Sequence, residues 1–323
     1  MFRYRFAMLM LLAVPASATA EPPVVEVGKL SFVFAEPATG RKILGARDAF
    51  VSRLSTFDRQ ARMQSPTEVS NESYLEFVSQ QVRPWQPDQQ AKLSAVLQDL
   101  AAPLSGMSFP KLSKVELVQT TGREEGEAAY TRSNAIVLPR SKIELPPRAL
   151  RKLLLHELFH VVSRTDAKLR DELYAVLGFR PSNEIQLPAE WQSRRLTNPD
   201  APVIEHVMTV QLAKHEQRHV APVLFASSPY DPEESRSMFA YLKFQLLQVV
   251  PNEQGDYEAA EEQGQPLWLS PTLADFRRQI GGNTGYIIHP EEVLADNFVA
   301  LVLETEGLPD PWILKKMAKI LRR

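Results

Sequence analysis

The chain of 323 residues contains no cysteine. Disulfides and thiolate metal ligands are therefore excluded, and any metal must be held by histidine and carboxylate side chains. Strong charge of either sign is also missing. The formal net charge is -2, which gives no reason to expect nucleic acid or an anionic membrane as a partner. There is no internal repeat, no low-complexity tract and no apolar run long enough to span a bilayer. What remains is ordinary: 44% apolar and 24% charged residues, the balance of a globular protein with a core.

The first 20 residues stand apart. Arg3 and Arg5 precede an apolar run from Phe6 to Val14, and Ala18-Thr19-Ala20 places small residues around a cleavage point. This pattern predicts a secretory signal peptide over 1–20, and hence an exported protein, periplasmic or secreted, with no stable membrane insertion after cleavage. From 21 to 110 the pattern is mainly helical. "KLSFVF" reads as a strand, and "ARDAFVSRLSTFDRQARM", "NESYLEFVSQQV" and "PDQQAKLSAVLQDLAAPL" read as helices. From 111 to 323 the texture is mixed. "SKVELVQT" and "AAYTRSNAIVLP" predict strands, and a long helix follows from Pro147 to about Ser163, then a shorter one that stops at Gly178. An extended, strand-rich insertion occupies about 179–265, and three helical segments close the chain. The fold class expected is α+β.

His-Glu-x-x-His, the signature of zinc peptidases, occurs twice, in "LLLHELFHVV" (Leu153–Val162) and in "KHEQRHV" (Lys214–Val220). Two histidines four residues apart share one face of a helix, about 5–6 Å apart at Cβ, and can lean onto one ion. On an extended strand they sit about 13 Å apart along the axis and cannot. The first copy is flanked by Leu150, Leu153, Leu154, Leu155, Leu158, Phe159, Val161 and Val162, with no Gly or Pro in the run. A buried helix carrying His156, Glu157 and His160 needs a reason for its polar groups, and a metal supplies one. The second copy follows an alternating run (Met208, Val210, Leu212) and precedes a short apolar run broken by Pro222. It reads as the polar tip of a hairpin, with His215 and His219 binding nothing.

The helix "LLLHELFHVV" resembles the active-site helix of the zincin metallopeptidases, a likeness that covers a few tens of residues. It implies a zincin-like catalytic domain over 111–323, with His156 and His160 as zinc ligands and Glu157 as general base. "TRSNAIVLP" stands where zincins place the edge strand that aligns a peptide. For the third ligand, "HVVSRTD" puts Asp166 at the metzincin spacing, but with Ser163 where that pattern has Gly. "HPEEVLADNFVALV" puts Glu292 and Asp296 one turn apart, similar to the Glu-x-x-x-Asp of gluzincins, where the Glu binds zinc and the Asp orients a ligating His. Glu292 is thus the expected third ligand, with Glu291 as fallback. The spacer from His160 to Glu292 is much longer than in thermolysin-like enzymes.

These roles predict hydrolysis of peptide or protein substrates. Glu157 would take the proton of a zinc-activated water, and Tyr286, on the loop "GGNTGY", would donate to the oxyanion; His289 and His206 are alternatives. A different class of reading is a non-catalytic exported protein that uses zinc or this fold to bind a partner.

Overall fold

The computed structural model describes residues 22–323. The segment read as a signal peptide lies outside the described residues. Strands β1 (Val24–Val27) and β2 (Leu30–Phe34) form a hairpin that turns at Gly28, where φ is +63°. Helices α1 (Pro37–Leu44), α2 (Thr56–Met63) and α3 (Asn71–Gln81), the short strand β3 (Val82–Arg83) and helix α4 (Pro87–Gln98) follow. The chain then re-enters the sheet as β4 (Lys114–Thr120), β5 (Tyr130–Arg132) and β6 (Ala135–Pro139).

The strand order is β1-β2-β4-β6-β5, with β3 also paired to β4. β4 runs parallel to both β2 and β6. Every position of β6 is buried, as a parallel strand requires when both faces of its sheet are covered. On one face Phe32, Leu117, Ile136 and Leu138 pack into the core that also takes Leu93 and Leu97 of α4. On the other, Val118, Ala135 and Val137 meet Leu44, Phe50, Tyr74 and Val78. The sheet is therefore the middle of three layers.

Residues 21–110 carry four helices, as expected, but one sheet spans the boundary drawn at residue 110. β1 and β2 are bonded through β4 to the strands beyond residue 110, so that boundary falls inside one sheet. A two-stranded hairpin is marginal alone and needs such partners. The helix expected over "ARDAFVSRLSTFDRQARM" is also broken. Val51–Arg53 forms a 3₁₀ turn, Leu54 is extended, and Ser55 caps α2 with a reciprocal Asp58 capping box.

After α5 (Arg140–Ile143) comes α6 (Pro147–Thr165), which carries the first His-Glu-x-x-His. Its apolar residues Leu154, Leu155, Leu158 and Phe159 are buried in the same core as Phe32 and Ile136. α7 (Ala167–Val176) follows, and Gly178, with φ +87°, reverses the chain.

The strand-rich segment forms a second sheet. Its elements are β7 (Phe179–Pro181), helix α8 (Ala189–Ser193), β8 (His206–Ala213), β9 (Glu216–Ala226), β10 (Leu242–Pro251) and β11 (Tyr257–Ala259), with the pair β12 (Glu261–Glu262) and β13 (Gln265–Pro266), then β14 (Trp268–Leu269). The order is β11-β10-β9-β8-β7, with β14 on β10. Pro222 does not break β9. It pairs with Leu246 of β10, and the β8 ladder has ended at Val220, so its missing N–H falls on a side with no continuous partner strand. Helices α9 (Ala274–Ile280), α10 (Pro290–Val302) and α11 (Pro311–Leu321) complete an α+β architecture. None of the described helices is long and apolar enough to cross a membrane.

Candidate metal centre

The centre is built by two helices lying side by side. α10 packs on α6 with Phe298 against Phe159, ring centroids 5.7 Å apart. Pro290 starts α10, and His289 caps it by accepting the Glu291 N–H on Nδ1. The first turn of α10 is thereby pressed against the middle of α6, and its two acids are buried.

Glu292 faces both histidines with one oxygen. Its Oε2 lies 3.1 Å from His156 Nε2 and 3.6 Å from His160 Nε2. Three ligands at about 2.0–2.1 Å from a tetrahedral zinc lie about 3.4 Å from one another, so these separations fit one ion. The ring atoms turned away from that point are held by carboxylates: His156 Nδ1 is 3.0 Å from Asp296 Oδ1 and His160 Nδ1 is 2.9 Å from Glu291 Oε1. An Nδ1–H donated to each carboxylate leaves each Nε2 lone pair for a metal, the carboxylate–histidine–metal arrangement. The acids are braced in turn. Thr284 Oγ1 donates to Asp296, Ser163 Oγ and Tyr174 OH donate to Glu291, and Asn198 Nδ2 donates to Glu292 Oε1 at 2.6 Å.

Charge in the site is unbalanced. Glu157, Asp200, Glu291, Glu292 and Asp296 surround two imidazoles, and among the described residues the ion pair these acids make with a Lys or Arg is Arg164 to Asp200 Oδ1, at 3.6 Å. Burial disfavours charge on His156, but hydrogen bonds to Asp296 and Glu292 outweigh it and push the ring up to about 11. His160 is pushed up to about 9, as the charges of Asp200 and Glu292 outweigh burial. Burial also opposes ionisation of Glu292, yet the charge of His160 and the bond to His156 hold it below the ordinary carboxylate range. Glu157 goes the other way, raised by desolvation first and by the charge of Asp200 next. Its Oε2 is buried without a hydrogen-bond partner among the described residues.

The structure thus brings together His156, Glu157, His160, Glu292, Asp296 and Glu291, with Glu291 behind His160 rather than at the ligand point. Asp166 is elsewhere. α6 continues past Ser163 to Thr165, so the sharp turn of the metzincin pattern is absent; Asp166 caps α7 and takes Lys111 Nζ at 2.8 Å. Tyr286 is 45% exposed and lies over His156 with ring centroids 6.3 Å apart. His289 is spent on its helix cap, and His206 pairs with Asp171 at 3.0 Å. The expected edge strand is displaced by one: β6 is interior and β5 is the edge. The Thr131 N–H on that edge donates to Asp200 Oδ1 at 2.9 Å.

Asn198 and Asp200 are the residues the sequence reading missed. They arrive from the strand-rich segment, and Asp200 groups with Glu157 and His160. Their only mark in the sequence is the string "LTNPDAP", an Asn-Pro turn signal common in surface loops.

The second His-Glu-x-x-His forms the hairpin of β8 and β9. His215 is exposed at its tip, and His219, within β9, packs on Tyr257 and bonds Thr209. No metal-holding group includes either among the described residues. Compared with family models, with curated proteins and with solved structures, the chain has no match in any of the three.

Proposed function

We propose that the protein is an exported zinc-dependent metallopeptidase built on a zincin-like, gluzincin-type site. The observation that carries this reading is the convergence of His156 Nε2, His160 Nε2 and Glu292 Oε2 at separations of 3.1 and 3.6 Å from the shared carboxylate oxygen, on a helix whose Glu157 has a free, buried oxygen. Three protein ligands leave a position for water, the mark of a catalytic site. Zinc bound there supplies an acidified water and a polarised substrate carbonyl.

The chain's own residues do the rest. Glu157 accepts the water proton and returns it to the leaving amine. Asp296 and Glu291 hold the two rings in the tautomer that leaves Nε2 free, and Asn198 holds the Glu292 carboxylate. Tyr286, beside His156 and open to solvent, is placed to donate its phenol to the developing oxyanion. Export rests on the charged and apolar pattern of residues 1–20.

The test is metal content and turnover of purified protein. About one zinc per chain is expected, retained by Glu157→Gln with loss of peptide hydrolysis, retained by His215→Ala, and lost by His156→Ala. Zinc that neither co-purifies nor reconstitutes ends this reading. Zinc with no hydrolysis of any peptide would leave a metal-dependent binding protein in its place.

A further inference from the structure

A cavity of about 190 Å³ opens beside the candidate metal centre and is bounded on that side by Asn198, Asp200 and Tyr286. Its walls come from parts of the chain far apart in sequence. Leu196, Leu224, Met238, Leu242 and Ile288 make them apolar, and Ala128–Tyr130, leading into the edge strand β5, form one rim. Phe239 stands at the cavity 48% exposed, on the 3₁₀ turn Met238–Ala240. Four large apolar or aromatic side chains are exposed among the described residues, and two of them, Phe239 and Tyr286, line this one cavity. Exposed aromatic area gathered beside an open polar site marks a place where something apolar binds.

Of the three ionic groups lining the cavity, Arg62 and Glu125 are paired with each other, and Asp200 accepts the Thr131 N–H and hydroxyl. Arg62 gives Nε to Glu125 at 2.6 Å, Nη1 to Asp58 at 2.5 Å and Nη2 to the Thr197 carbonyl at 3.0 Å. An anionic guest would be stripped of water beside Glu125 and Asp200 without finding a free cation, and a cationic guest would find only Asp200, already engaged by Thr131, so burying a charge there is costly. An uncharged ring or branched chain meets no such penalty. The volume suits one such group, since an apolar cavity of about 150 Å³ holds a benzene ring.

Building on the metallopeptidase reading, we propose that this cavity is the specificity pocket of the enzyme and takes one bulky apolar side chain, aromatic or branched aliphatic, of the substrate residue next to the scissile bond. Leu242 and Phe239 set its size. Apart from Arg62 and the 125–130 stretch, the lining comes from the strand-rich segment and the loop before α10, with no residue of α6 or α10, so the long spacer between His160 and Glu292 acquires a task.

The test has two arms. Peptides differing at single positions are offered to the full, zinc-loaded protein, and cleavage sites and kcat/KM are read by mass spectrometry. Phe, Leu or Ile beside the cut is expected to exceed Gly, Asp or Lys by about 10–200-fold, the range a hydrophobic pocket delivers. Leu242→Trp should shift the preference to small residues, and Phe239→Ala, at an exposed site that leaves folding intact, should weaken it. In the second arm, N-acetyl-phenylalanine amide and N-acetyl-lysine amide are titrated into the protein by NMR, with and without Leu242→Trp. Selective binding of the aromatic amide, abolished by the substitution, is expected. Cleavage without apolar preference overturns the pocket and leaves the hydrolase standing. No cleavage, with selective aromatic binding retained, overturns the hydrolase and keeps an apolar side-chain site; no cleavage and no selective binding overturns both.

Discussion

At the scale of single residues, the centre depends on side chains that never reach the ligand point. Asp296 Oδ1 lies 3.0 Å from His156 Nδ1, and Glu291 holds His160 in the same way. Removing such partners costs about 10–100-fold in metal affinity, so Asp296→Ala and Glu291→Gln should each lose that much zinc affinity in competition with a chelator; unchanged affinity would remove these acids from the site. His289 governs a different property. Burial pushes its ring down to about 4, below the ordinary value near 6.5 that it regains on unfolding. Its contribution to stability is therefore complete above about pH 6.5 and is lost as the pH falls toward about 4, because the unfolded chain takes up the proton first. His289→Asn keeps a helix-cap acceptor and removes the titration. Whatever the offset between the two proteins at pH 8, urea midpoints should show the wild type losing ground to the variant below pH 6.5. Parallel pH curves would contradict this.

At the scale of elements, the loop between α9 and α10 rests on one glycine. Gly281 ends α9 at φ +72°, ψ 179°, a region open essentially to glycine alone, where other residues are strained by about 1–3 kcal/mol. A Cβ there would also stand 2.6 Å from Ile313 Cδ1. The loop it starts sends Asn283 to Asn297 and the Asp310 carbonyl, and Thr284 to Asp296. Gly281→Ala should thus lower stability by at least about 1–3 kcal/mol in chemical denaturation and weaken zinc binding with it. Stability loss with zinc affinity intact would separate the loop from the centre. Helices α6 and α10 were legible in the sequence because unbroken apolar runs with Pro at the start declare themselves locally. The interruption at Leu54–Ser55 was not, since Phe50, Leu54 and Phe57 keep helical spacing across it. There the capping box of Ser55 and Asp58 prevails over periodicity.

At the scale of the molecule, the distant parts are joined by a buried ion cluster. Arg62 on α2 connects Asp58, Glu125 and the Thr197 carbonyl, with its side chain 2% exposed. It ties the N-terminal helices to the segment that delivers Asn198 and Asp200. Removing one member of a buried pair costs about 3–5 kcal/mol, so Arg62→Met should destabilise the protein by that order in urea titration and lower peptide turnover as the 197–200 segment loosens. A loss of only about 0.5 kcal/mol, the size of a surface substitution, would show that Arg62 bears no such load. The single sheet spanning residue 110 teaches the same lesson. Local patterns placed helices at 21–110 but carried no sign that β2 pairs with β4 about eighty residues later.

The sequence by itself determined that any metal must be held by His and carboxylate, that His156 and His160 share a helix face, and that "KHEQRHV" would not. Those are consequences of composition and of local backbone pitch, which neighbouring residues decide. Only the tertiary structure decided which of Glu291 and Glu292 meets the two Nε2 atoms. Adjacent residues point about 100° apart on a helix, and the rotation of α10 is set by packing such as Phe298 on Phe159. The same holds for Asn198 and Asp200, whose place at the centre depends on long-range contacts that no local pattern records.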